Sequence, residues 1–160
     1  MSVSTLYAGL SGSHHLVSQP YVGNGGSWLP CRFVYVGQAG AWQQIFKQED
    51  PLSVNAADVS HESDVFGAQS QHVSGSTTAT AAGGSASYSY AWSYVSGDSF
   101  ITIDNAALQS PTFTSELLSV GGAGDSDTAS AVWRCTVTDS ESHTAHCDIN
   151  VTLTLFCVND

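Results

Sequence analysis

Basic residues are almost missing from this chain. Arg32, Lys47 and Arg134 are the whole complement against 14 acids, for a formal net charge of −11. A phosphate backbone must be neutralised by lysine and arginine, so nucleic acid is excluded as a partner, and an anionic membrane surface with it. No apolar run approaches the roughly 20 residues of a membrane-spanning helix, so no membrane insertion is expected. None of Cys31, Cys135, Cys147 and Cys157 forms C-x-x-C, which removes the commonest zinc and redox motifs. G-x-S-x-G, H-E-x-x-H and a phosphate loop are all lacking. No catalytic residue, metal-ligand set or cofactor is therefore named, and a non-enzymatic protein is expected. The N-terminal MSVSTLYAGLSGSHH has neither a basic n-region nor an apolar h-region, which predicts no secretory signal and assembly in the cytoplasm.

Charged residues make up only 11% of the chain, well under the roughly 25% usual for soluble proteins. Glycine, serine and threonine take their place beside valine and tyrosine. Such a composition favours strands joined by turns, and the turn signals NGG (24–26), QAG (38–40), GG (83–84), SGD (96–98) and GGAGDSD (121–127) recur along the chain. An all-β protein is predicted.

Residues 1–50 read as one small module. Within it CRFVYV (31–36) and AWQQIF (41–46) form a hairpin around the turn from Gly37 to Gly40, and His14-His15 falls in a loop. One hairpin is too small to stand alone, so Phe33, Tyr35, Trp42 and Ile45 are expected to meet a neighbouring subunit. QEDPL (48–52) reads as the linker to a second domain, 53–160.

In that domain strands are predicted over 73–84, 87–95, 100–104, 110–117, 128–139 and 146–156. The stretch SYSYAWSYVSGDS (87–99) sets Tyr88, Tyr90, Trp92 and Tyr94 at every second position, the period of a strand with four rings on one face. Trp92 is expected in the core. Tyr88 and Tyr94, nearer the strand ends, are candidate ligand contacts with hydroxyls toward solvent. Trp133, Cys135 and Val137 alternate with polar residues on the penultimate strand, as do Cys147 and Ile149 on the last, and these too are assigned to the core. A hairpin symmetric about Glu141 would set Cys135 opposite Cys147, as a disulfide or, preferably in a reducing compartment, as two buried thiols. His143, His146, Asp139 and Glu141 read as a solvated turn rather than a metal site, and Asp125 and Asp127 as a mobile acidic loop rather than a calcium site.

GGSASYSYAWSYVSGD followed by AVWRCTVTDSESHTAHCDINVTL resembles the immunoglobulin-like or PKD-like modules of bacteriophage virion proteins, and CRFVYVGQAGAWQQIF is similar to hairpin modules of phage tail-tip and fibre proteins. The resemblance implies an immunoglobulin-like β-sandwich preceded by a small N-terminal β-hairpin module. It implies a virion structural protein and a homo-oligomer, with other virion proteins and a host cell-surface glycan as the expected partners. A tail-tip or tail-fibre component is the first expectation, a capsid decoration protein the second and a carbohydrate-binding module the third. The chain departs from the antibody pattern in two places. The early strand STTATAAG offers no cysteine to pair with Cys135, and Trp133 stands where a tyrosine-corner tyrosine would.

Overall fold

Strand-favouring composition and frequent turn residues lead to a chain that is all-β. The computed structural model describes residues 6–10, 13–17, 20–24, 27–31, 33–38, 41–47 and 49–159, and among these are fifteen strands and no helix. The strands divide between two compact units, Met1–Asp50 and Pro51–Asp160.

The first unit is three successive antiparallel hairpins: β1 (Leu6–Leu10) with β2 (Ser13–Val17), β3 (Tyr21–Asn24) with β4 (Ser27–Pro30), and β5 (Phe33–Gln38) with β6 (Ala41–Lys47). The last is the hairpin the sequence predicts. The first two were not anticipated, and they correct the loop reading of His14-His15, which lie in β2. The turn predicted from Gly37 to Gly40 includes Ala39 and Gly40, and the predicted linker includes Gln48, all three outside the described residues.

In the second unit β7 (Ser53–Asn55), β8 (Val59–Phe66), β9 (Gln69–Ser76) and β10 (Thr80–Ala82) come first. They are followed by β11 (Ser89–Gly97), β12 (Thr102–Ile103), β13 (Thr112–Val120), β14 (Ser126–Thr138) and β15 (Thr144–Asn159). One sheet has the order β11-β14-β15-β8, with β8 parallel to β15 and the other pairs antiparallel. A second has the order β12-β13-β9, and β7 pairs with β10 in a short ribbon. The predicted strand 73–84 is therefore two strands. It breaks because Ala79 N–H donates to Gln109 O and the Thr77 hydroxyl to Ala57 O, carrying the chain from one partner, β13, to another, β7. Strands β7 and β8 were missed: β8 buries only Val59 and Val65, near its two ends, and has no alternation to read between them.

Both sheets contribute to one core. Phe113, from the three-stranded sheet, is fully buried and touches both tryptophans of the four-stranded sheet. Its ring meets Trp92 edge-on at 5.7 Å and Trp133 at 5.4 Å. Ile149, Val151, Leu153 and Leu155 line the inner face of β15, with Val137 and Cys135 beside them on β14. Each such side chain contributes roughly 1.5–3 kcal/mol when fully buried. Cys147, assigned to the core from sequence, lies instead at its margin, half-buried.

Candidate functional site

The hairpin unit displays its aromatics. Tyr21, Phe33 and Tyr35 are each about half exposed, at 56%, 50% and 51%. The side chains of Trp42 and Ile45, the other two expected contacts, lie outside the described residues; by register Trp42 pairs with Gly37, and Ile45 falls at a bulge in β6.

The register also exposes a repeat that strand-by-strand reading passes over. YAGLSGSH (7–14), YVGNGGSW (21–28) and YVGQAGAW (35–42) follow one another at a spacing of 14. Each copy builds one hairpin with the same pairing: Tyr7 with Leu16, Tyr21 with Pro30 and Tyr35 with Gln44, then Gly9 with His14, Gly23 with Trp28 and Gly37 with Trp42. Comparing the sequence with itself at that spacing would have found it. No ladder joins one hairpin to the next among the described residues.

The aromatic strip of the second unit serves packing. Trp92 is 5% exposed and donates from Nε1 to Leu108 O at 3.0 Å. Tyr88 precedes β11, after Ser87 at φ 83°, so it is not part of the continuous strand expected. The hydroxyls of Tyr88 and Tyr94, expected to be free toward solvent, donate at 2.6 Å to the carbonyls of Gly83 and Gly97, the second bond at the exposed surface. The Tyr94 ring, 41% exposed, stands edge-on to Trp133 at 6.0 Å. Trp133 Nε1 is buried without a hydrogen-bond partner among the described residues.

Acids expected in open turns are tied to backbone. The buried Asp139 carboxylate accepts from the N–H groups of Ser85, Glu141 and His143 at 2.9–3.0 Å and from His143 Nδ1 at 3.1 Å. These bonds, that of Ser85 foremost, hold its carboxyl down at about 2. A depressed folded-state value means stability that is complete above the ordinary carboxylate range and is lost as pH falls toward 2. Melting temperature should accordingly drop between about pH 4 and pH 2, and Asp139→Asn, less stable at neutral pH, should flatten that part of the profile. An unchanged acid limb would show that Asp139 does not carry it. Asp125 accepts from Gly121 and Ser126 N–H, and Asp127 from Ser119 N–H, so these side chains fasten the loop between β13 and β14.

Cys135 and Cys147 are directly opposed, in the register symmetric about Glu141, and both are free thiols. Burial, with Cys147 nearby, pushes the Cys135 thiol up to about 11, and burial raises Cys147 as well. Neither is a thiolate nucleophile at neutral pH. A shallow cleft of about 260 Å³ runs beside Gly97 over β14 and β15, lined by Ser130, Asn150 and Thr152 among others and by no titratable side chain. Asn150 is occupied there, its N–H and Nδ2 donating to the two oxygens of Asp58 at 2.8 and 3.1 Å. Arg134 clasps Asp148 through Nε and Nη2 at 2.7 and 2.8 Å on the exposed face.

The half-exposed hairpin aromatics are thus the candidate site, and the chemistry they offer is apolar docking. No protein-family model, no curated protein and no solved structure matches this chain.

Proposed function

We propose that the chain is a non-enzymatic structural protein of a phage particle, attached through Met1–Asp50 and projecting Pro51–Asp160 from it. The observation that carries this reading is a separate unit of three register-matched hairpins with Tyr21, Phe33 and Tyr35 half exposed, next to a unit with its own core. Exposed aromatics on small hairpins that no ladder joins among the described residues are what a docking module needs and a monomer avoids. The projecting unit is read as an immunoglobulin-like sandwich. Its support is the order β11-β14-β15 facing β12-β13-β9, which follows strands C-F-G facing D-E-B, with Trp92 on the strand that carries the core tryptophan. On that reading β9 is strand B, and its buried Val73 stands in place of an inter-sheet cysteine.

A tail-tip or fibre location is the form of the proposal, from the sequence resemblance of the hairpin. Direct glycan binding through Tyr88 and Tyr94 loses support, because both hydroxyls are spent on backbone carbonyls. Immunogold microscopy with an antibody against residues 51–160 tests the assignment. Gold at the tail end is expected, and it should vanish from particles grown with a chain lacking residues 1–50. Gold over the head would replace the tail assignment with capsid decoration, and no gold on any particle would overturn the virion reading.

A further inference from the structure

We infer that Met1–Asp50 is a self-association module whose partner is the same unit of further copies of this chain. The inference rests on the attachment reading for the existence of a docking unit, and adds what docks on it first.

Three observations converge. A two-stranded hairpin is marginal by itself, and no ladder joins the three among the described residues, so contact with another copy would stabilise them. Tyr21 and Tyr35 occupy equivalent positions of successive repeats, and Phe33, two residues before Tyr35 on β5, adds a third exposed ring that is particular to the last hairpin. Because the repeat recurs in every copy of the chain, the same aromatic positions are offered from both sides of a contact between copies. Three half-exposed rings supply roughly 300 Å² for the apolar centre of such a contact, of the roughly 800 Å² per partner that a stable interface buries.

Charge selects the partner. Arg32 and Lys47 balance Glu49 and Asp50, so the hairpin unit is formally neutral, and Met1 to Gln48 contains no carboxylate. The entire −11 therefore sits on Pro51–Asp160, where Arg134 is the sole basic residue. Hairpin units can meet without repulsion, while the acidic units repel one another and stay apart. Assembly should consequently strengthen as salt screens that repulsion, the reverse of docking between opposite charges.

Sedimentation equilibrium of the full chain reads this directly. The wild type should show a multiple of its 16.7 kDa mass, rising with sodium chloride. The variant Tyr21→Ser/Phe33→Ser/Tyr35→Ser should associate at least tenfold more weakly, with the unfolding transition of residues 51–160 unchanged. Tyr21→Phe/Tyr35→Phe keeps the rings and should assemble like wild type, and so should Leu117→Ser, which removes an exposed apolar side chain of the other unit. A wild type that stays at 16.7 kDa at high micromolar concentration and high salt overturns the inference, as does assembly that weakens with salt or survives the triple serine variant. The measurement needs no particle. A chain that assembles but never enters a virion keeps this inference and sinks the attachment reading.

Discussion

Trp92→Ala should destabilise the second unit by about 3–5 kcal/mol, a large share of the roughly 5–15 kcal/mol that holds a typical domain folded. The ring is 5% exposed, wedged edge-on against Phe113 and bonded through Nε1 to Leu108 O. Truncation forfeits the transfer free energy of the indole and leaves a cavity that Phe113, already held between two tryptophans, cannot fill without leaving Trp133. At about 4 °C per kcal/mol for a unit of this size, melting should fall by on the order of 12–20 °C. Trp92→Phe keeps most of the volume and loses the indole N–H, so about 1–2 kcal/mol is expected. Urea unfolding followed by far-ultraviolet circular dichroism would distinguish them. A loss of only a degree or two in Trp92→Ala would mean the aromatic strip is a surface after all, and glycan binding would regain its place.

Gly97→Ala should cost about 3 kcal/mol or more, although it adds a single methyl group. Gly97 has φ 97°, and a Cβ there would lie 2.5 Å from Ser130 O and 2.7 Å from the Ala131 Cα. Both obstacles are backbone of β14, which is locked between β11 and β15. The neighbouring Asp98 fixes the approach: its N–H donates to Ser130 O at 2.8 Å while its carboxylate accepts from Ser130 N–H at 2.7 Å. Strain at a positive φ costs about 1–3 kcal/mol and forced overpacking about 1–3 more. Gly124→Ala is the control. Its φ of 80° carries the conformational strain with nothing within 4 Å of the added carbon, so about 1–2 kcal/mol is expected. Equal losses in the two variants, measured by the same unfolding titration, would show that the close approach at Gly97 contributes nothing.

Local pattern was enough for several features. Strict alternation along β14 and β15, with DSESH between them, specifies that hairpin and its faces, while the pairing of Cys135 with Cys147 was one register among those that keep the faces, and the folded chain selects it. Trp92 was legible as core from alternation too. The 14-residue repeat was equally present in the sequence, since a self-comparison needs no coordinates, and it was missed because each hairpin was weighed singly.

Other features have no local signature. β8 is mostly polar and earns its place by parallel pairing with β15, about 90 residues later in the chain, through Val59 with Val151 and Leu155 with Ser63. Tyr94 shares the face of Trp92, opposite Trp133 in register, yet stays 41% exposed, and Tyr88 falls just outside the strand, after Ser87 at positive φ. Asp139 reads as one more acid in a turn until Ser85, 54 residues earlier, is brought against it. Composition and alternation settle which residues form strands and which faces are apolar, because those depend on neighbours along the chain. Which sheet a strand joins, where a hydroxyl or carboxylate is spent and which aromatics remain exposed depend on contacts between distant segments, and only the folded chain decides them.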